Sequence, residues 1–527
     1  MRTSHGIFRI FAAGRRALST MLQQQASTCF VPSVLAPVCT FGICVSHQPS
    51  RSIPQVEYRY DTMLTSGSVL AESQGAPEIR EALEEGLRLQ WSFGFPYTPK
   101  ELPVLTHAFF PYPAGMQPST AHHLLETVLT GRSVLDPFVG GGTVIVEALR
   151  AGRLGVGSDV SPLSLFVSRG RTWIASDSEL EELREAVRSV CEAAAAKLGE
   201  THTRQVSGKD WDCIESEIAD YLAARSKDGE KDEIRDALWF VLAVARPKAA
   251  TKRRRGVEHV VACEVFHTVC KQYAIAVKNL TSAATASATP HLPQTPVILR
   301  RDARHPLPLV VDAGVGGKEN AGGDGLENLA ACFERKAPVG SDEHNSNSLV
   351  FDAVLTSPPY PGVYDYLAHA RQVRSVMGRL GSTEGSRPMH RTSIFSNSRV
   401  PTGRNWADEW VIGEIGSKRK IRRDRKREAY SGGSRDGSTR RVDIWENDQR
   451  DWILATTNAL RVGGRIGIML GDGDGVDTRS SLLRTVEVLR TQEGRAVLDV
   501  LGWATFRSAA GARRRMRTEH LILLEKL

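Results

Sequence analysis

Ser133-Val134-Leu135-Asp136-Pro137-Phe138-Val139-Gly140-Gly141-Gly142-Thr143 is the stretch that decides the fold. It opens as a short apolar strand ending in an acid and continues as a glycine turn, and residues 144–151 then read as a helix. A second short strand over 154–157 leads to Asp159. Strand, glycine turn, helix and strand make one βαβ unit of a parallel sheet. Ligands of such sheets bind outside the carboxyl ends of the strands, where Asp136, Phe138, Gly140, Gly142 and Thr143 stand. Glycine lets backbone approach a ligand closely, although an ordinary tight strand-to-helix turn uses it as well. No GK[ST] sequence closes the turn, which argues against a nucleoside-triphosphate loop. Asp159, about 20 positions downstream at a second strand end, is placed to accept hydrogen bonds from ribose hydroxyls. Its other reading is a helix cap for the segment that begins at Ser161-Pro162.

Outward from this unit, helical spacing is read over 76–89 and 119–129, with an aromatic, proline-rich loop over 91–113 between them. Long amphipathic patterns at 178–198, 232–246 and 257–280 read as a helical insertion. Parallel-sheet grammar resumes at 297–299, before Asp302, and at 351–355. Residues 312–349, rich in Gly, Asn, Asp and Glu, read as a surface loop. A polar, basic stretch covers about 374–441. Then come a helix over 445–460 closed by Gly463-Gly464, a buried strand over 465–470, a helix over 480–490, and strands over 496–506 and 520–526. The last two strands have no helix between them, so the sheet is expected to finish in an antiparallel hairpin. The chain thus divides into a leader (1–56), an N-terminal extension (57–106), a first half of the sheet (107–173), the helical insertion (174–295), a continuation of the sheet (296–373), a basic variable insertion (374–444) and the C-terminal part of the sheet (445–527).

The chemistry concentrates in Leu355-Thr356-Ser357-Pro358-Pro359-Tyr360, directly after a buried strand. An exocyclic base amine is a poor nucleophile because its lone pair is delocalised into the ring. Two acceptors aimed at the amine hydrogens free that lone pair, here the Ser357 hydroxyl and the Pro358 carbonyl, whose direction the two prolines fix. Tyr360 offers a π-face for a base taken out of its stack. A polyproline turn is the bland alternative, and the preceding buried strand argues against it. The loop carries no Pro-Cys nucleophile, so a covalent enzyme–base intermediate is not expected. Asp136 is suited to a cationic group such as the amino group of a methionine-derived sulfonium.

Together these residues resemble the class I S-adenosylmethionine-dependent methyltransferases, and within them the amino-methylating DNA methyltransferases of the cytosine-N4 and adenine-N6 type. The similarity covers about 107–173, 297–305, 351–372 and 445–527. It implies a Rossmann-like α/β fold with a seven-stranded, mostly parallel sheet, S-adenosyl-L-methionine as cofactor, no metal, and a nucleic-acid partner, DNA before RNA. Asp136, Phe138, Gly140, Gly142 and Thr143 match the family's cofactor motif, Asp159 its ribose position and Asp302 its adenine-side acid. Residues 107–117 resemble the segment that packs over the cofactor. Serine at the first place of the tetrad is similar to the cytosine-N4 enzymes. Transfer-RNA guanine-N2 methyltransferases share the motif order and are the first alternative. A non-catalytic nucleic-acid binder that kept the fold is the second.

Bulk composition bounds the rest. The 527 residues, 41% hydrophobic, can bury a substantial core, and 68 Lys+Arg against 60 Asp+Glu leave a net +8 that permits an anionic partner without requiring one. Lys418, Arg419, Lys420, Arg422 and Arg423 form a run suited to following phosphates, and equally to a solvated face or a nuclear-import signal. Tyr364, Tyr366, His369 and Arg371 are candidates for a base pocket or for helix packing. Eight cysteines with no CxxC pair suggest reduced thiols and no structural metal. No Asp or Glu precedes Glu57, whereas Arg2, Arg9, Arg15, Arg16 and Arg51 do, a composition expected of an organellar transit peptide. The apolar stretch 30–45 is short and is broken by Pro32 and Pro37, so no membrane span is expected.

Overall fold

The structure, a computed structural model, describes residues 68–92, 105–110, 112, 115–198, 206–225, 233–254, 261–288, 295–307, 350–361, 439–473, 476–492, 497–508 and 518–527. The expected leader, the loop 312–349, the run containing Lys418 to Arg423, and Tyr364, Tyr366, His369 and Arg371 lie outside the described residues.

The centre of the parallel sheet is built from short apolar strands that are buried on both faces. β2 (Ser133–Asp136) is buried throughout and pairs with β3 (Leu154–Asp159) on one side and β5 (Phe351–Thr356) on the other. β4 (Val297–Arg300) extends the sheet beyond β3, and β6 (Leu460–Gly471) extends it beyond β5, all parallel. β8 (Thr518–Lys526) then pairs antiparallel with β6 and with β7 (Leu498–Ser508), the hairpin expected from the sequence. β1 (Ser68–Gly75) lies antiparallel on β7, so the order is β1-β7-β8-β6-β5-β2-β3-β4.

Alternation of side chains assigns the two faces. Val134, Leu355, Leu521 and Leu523 meet α1 (Pro77–Ser92), α2 (Pro118–Thr127) and α3 (Thr143–Arg150) through Leu83, Leu124, Leu125 and Val144. Leu135, Val354, Ile522 and Leu524 point the other way, toward Trp452 of α9 (Thr439–Asn458) and Leu482 of α10 (Thr478–Gln492). Glycine in β3 permits the close contact of turn and strand, since a Cβ on Gly157 would lie 2.5 Å from Val139 Cγ2. After α4 (Pro162–Thr172) come four helices with their own core: α5 (Asp177–Leu198), α6 (Gly208–Arg225), α7 (Glu233–Arg254) and α8 (Ala262–Ala286).

The sheet has eight strands, not the seven expected. The eighth, β1, reads SVLAESQG, and its Glu, Ser, Gln and Gly content masks a strand. An edge position with one paired side tolerates such a sequence. Helix α6 was likewise not expected, because Asp and Glu interrupt its apolar spacing. Gly463-Gly464 do not close α9 but lie inside β6, where the register with β5 shifts between Phe351 and Ala353 and Gly463 takes φ +70°. Among the described residues, no helix is long and apolar enough to cross a membrane, and Cys191, Cys213, Cys263 and Cys270 are free thiols.

One glycine joins the βαβ unit to the helical layer. Gly152, just past α3, has φ +67°, and a Cβ there would stand 1.8 Å from the carbonyl oxygen of Ser287 at the end of α8. Gly152→Ala must therefore strain the backbone and displace α8. A loss of at least ~1–2 kcal/mol is expected in urea unfolding, and an unchanged midpoint would contradict this packing.

Candidate cofactor and catalytic site

Because β3, β2 and β5 are adjacent and parallel, Asp159, Asp136 and Thr356 end side by side at one edge of the sheet. Asp136 is 3% exposed. Its Oδ1 accepts the Phe138 N–H at 3.1 Å and the Thr356 hydroxyl at 2.7 Å. Asp159 accepts the Gly140 N–H at 3.1 Å through Oδ2 and the Ser161 N–H at 2.9 Å through Oδ1. Asp159 thus ties the glycine turn to the entry of α4. Ser161 is the residue whose side chain caps α4.

Burial pushes the Asp136 carboxyl up to about 7, against the Thr356 and Phe138 hydrogen bonds, and the nearby Asp159 adds to the rise. Burial also raises Asp159, opposed by the Ser161 and Gly140 amides. Two desolvated carboxyls at adjacent strand ends form an acidic pair suited to a cationic, hydroxyl-bearing ligand.

The glycine turn is shaped from within. Gly140 and Gly142 have φ +47° and +79°, and Gly142 leads into α3, whose first residue is the buried Thr143. A Cβ on Gly141 would fall 2.7 Å from Arg171 Nη1 and 2.8 Å from Tyr112 Cβ, and one on Gly142 would fall 3.1 Å from Ser168. These glycines are thus required by the chain's own packing. Phe138 is partly buried, edge-on to Trp452 at 5.3 Å. Behind the turn, His107 Nε2 lies 2.7 Å from Glu147 of α3, and against burial the His107 hydrogen bond, with His122 and Arg150 close by, holds that carboxyl well below the usual range.

Asp302 follows β4 and is brought toward Asp159 by the bond from Arg301 N to the Asp159 carbonyl at 3.0 Å. Its carboxylate is clasped by Arg304, with Nη2 to Oδ2 at 2.6 Å, and Arg304 also reaches Asp448. Despite its partial burial, this pairing holds Asp302 below the ordinary carboxylate range.

On the other side, Ser357-Pro358-Pro359-Tyr360 leaves β5 with Ser357 Oγ donating to the Tyr360 hydroxyl at 3.4 Å. That bond uses the serine hydrogen and leaves the oxygen lone pairs as acceptors. The Tyr360 ring lies against the end of β6, where a Cβ on Gly471 would be 2.9 Å from Cε2. The structure therefore brings together Asp136, Phe138, Gly140, Gly142, Thr143, Asp159 and the Ser357 loop. Lys418, Arg419, Lys420, Arg422 and Arg423 fall outside the described residues. Sequence reasoning missed Thr356, Tyr112, Gly141, Arg171 and Gly471. Thr356 and Gly141 stood inside the two motifs and Tyr112 within residues 107–117, whereas Arg171 and Gly471 carried no signal.

No family model matches the chain. The chain is 36% identical over 80 residues to the type II methyltransferase M.MvaI of Kocuria varians, covering 14% of this chain and 18% of that protein. It is 30% identical over 95 residues to the type II methyltransferase M.MjaII of Methanocaldococcus jannaschii, covering 17% and 18%. It thus spans under a fifth of the length of the curated relatives it matches. A solved rRNA methyltransferase, aviRa of Streptomyces viridochromogenes, aligns over 81% of this chain and 90% of its own at 12% identity with a TM-score of 0.26, too loose to add to the strand order itself. Both type II relatives are methyltransferases, and over these short segments the chain is similar to them, in keeping with the motif resemblance to the class I S-adenosylmethionine-dependent methyltransferases.

Proposed function

We propose that the protein methylates an exocyclic amino group of a nucleic-acid base, with cytosine N4 of DNA as the favoured target and adenine N6 next, using S-adenosyl-L-methionine. The observation that carries this reading is the Thr356–Asp136 hydrogen bond, which fixes the Ser357 loop against the strand end that bears the acidic pair. Asp136 and Asp159 fit the cofactor, since a buried carboxylate suits its amino group and a second one its ribose hydroxyls. When bound, that cofactor supplies an electrophilic methyl group on a sulfonium.

The remaining work falls to the chain. Ser357 Oγ and the Pro358 carbonyl accept the two amine hydrogens and localise the nitrogen lone pair. Tyr360 stacks the base. Pro359 holds the loop extended, which keeps both acceptors on one side. Transfer of label from methyl-labelled cofactor to DNA or RNA, lost in Ser357→Ala, tests the reading, and labelling of protein alone would refute it. By composition, residues 1–56 are proposed to direct the chain to an organelle.

The raised Asp136 carboxyl sets a pH dependence. A carboxyl whose folded value lies above its unfolded value binds more protons when folded, so its contribution to stability declines as pH rises from about 4 to about 7. Binding of a cationic amino group demands the ionised form, so cofactor affinity is expected to rise with pH, by up to about tenfold per unit below about 7, and to level off above it. Asp136→Asn is expected to flatten that rise. Calorimetric titration with S-adenosylhomocysteine from about pH 6 to about pH 8 checks it, and an affinity independent of pH in the native chain would remove Asp136 from the ligand's amino group.

A further inference from the structure

Arg171, at the end of α4, is 0% exposed, yet no carboxylate among the described residues is paired with it. Its guanidinium instead spends three donors on backbone. Nε donates to the Phe109 carbonyl at 2.8 Å, Nη2 to the Phe110 carbonyl at 2.7 Å and Nη1 to the Gly141 carbonyl at 2.9 Å. Its own carbonyl oxygen accepts from the Thr106 hydroxyl. Burial holds the guanidinium down to about 10, against only the Tyr112 phenol as an offsetting neighbour. Burying an uncompensated cation is costly, and an apolar side chain would fill the same space without that cost. The three bonds therefore serve something beyond filling.

They connect two separate pieces of chain. One is the segment before α2, where Phe110 takes φ +54°, a backbone region an aromatic residue rarely adopts. The other is the glycine turn, whose Gly140 amide binds Asp159 and whose Phe138 amide binds Asp136. Tyr112 completes the link, with its ring against Gly140 and Gly141 and its hydroxyl 2.6 Å from Ser164 Oγ. The planar fork reaches these three carbonyls from three separate nitrogens, whereas a lysine ammonium carries all of its donors on one.

We propose that Arg171 is a positioning residue that sets cofactor affinity by fastening the Phe109–Phe110 segment to the inner side of the glycine turn. The inference rests on the cofactor reading above. Arg171 holds the turn in the shape in which Asp136 and Asp159 face the ligand, and it has no bond to the Ser357 loop. Its loss therefore acts on cofactor binding and leaves the transfer step itself largely alone.

The test is calorimetric titration of S-adenosylhomocysteine into the full chain, native and Arg171→Lys, beside the rate of label transfer at saturating cofactor. The lysine variant is expected to bind about tenfold more weakly or worse, with a saturated rate within about threefold of native. A merely structural role would lower both together. Since a buried lysine can impair folding, Gly141→Ala is measured alongside, because it keeps the guanidinium and displaces Nη1. It is expected to weaken binding in the same direction. Binding by both variants within about twofold of native would overturn this inference alone. A native chain that binds no S-adenosylhomocysteine would overturn the cofactor reading and this inference with it.

Discussion

Asp159→Ala is expected to weaken cofactor binding by about 30-fold to about 5,000-fold, the effect of ~2–5 kcal/mol that follows when one partner of a buried, charge-assisted hydrogen-bond set is removed. The size follows from the two tasks of this carboxylate. It holds the glycine turn through the Gly140 amide and the entry of α4 through the Ser161 amide. Its removal frees both amides and also takes away the acceptor proposed for the ribose hydroxyls. Asp159→Asn keeps the volume but brings an amide that must turn its oxygen to one N–H and its nitrogen toward another, so an intermediate loss is expected. Titration with S-adenosylhomocysteine measures both variants. Native-like affinity in Asp159→Ala would show that this strand end does not meet the ligand.

Tyr360→Ala is expected to lower methyl transfer by about 5-fold to about 150-fold while cofactor affinity stays within about twofold, because stacking of one base on an aromatic face is worth ~1–3 kcal/mol. Two observations separate this outcome from a general loss of structure. Tyr360 is only partly buried, and its ring rests on the end of β6 at Gly471 without filling the centre of the core. Tyr360→Phe isolates the hydroxyl. It removes the acceptor that takes the Ser357 hydrogen, so part of the rate is expected to fall with the serine's orientation while stacking remains. Rates measured at saturating cofactor distinguish the two variants. Equal loss of cofactor binding in Tyr360→Ala would place this ring on the cofactor side of the site.

Much of the fold was legible where a local rule acts alone. The run Ser133 to Thr143 forms strand, turn and helix because a buried strand, three glycines and a following apolar helix leave the chain few alternatives. The hairpin of β7 and β8 follows from two apolar runs with no helical pattern between them. Legibility failed where a partner distant in sequence decides the outcome. β1 is a strand because β7 offers it an edge, and its own residues carry no such signal. Gly463 and Gly464 look like a helix stop and serve as an irregularity within β6, since the pairing with β5 fixes the register on either side of them.

The site divides in the same way. Asp136, Asp159 and the Ser-Pro-Pro-Tyr loop announce themselves by residue type at strand ends. Thr356 and Arg171 do not, because their significance lies in bonds across 220 residues to Asp136 and across about 61 to Phe110. No periodicity or spacing encodes such a pair. The glycines show a related limit. Their sequence suggests room for a ligand, whereas the structure shows Gly141 making room for Arg171 and Tyr112.

The most direct measurement of the central claim is nucleoside mass spectrometry on DNA and on RNA, each incubated with the purified chain and methyl-labelled S-adenosylmethionine. The proposed function predicts label on an exocyclic amine, as N4-methylcytosine or N6-methyladenine from DNA, formed more slowly with Tyr360→Ala. Label on a ring carbon, or on neither nucleic acid, would contradict it, and an amine label confined to RNA would overturn DNA as the favoured target.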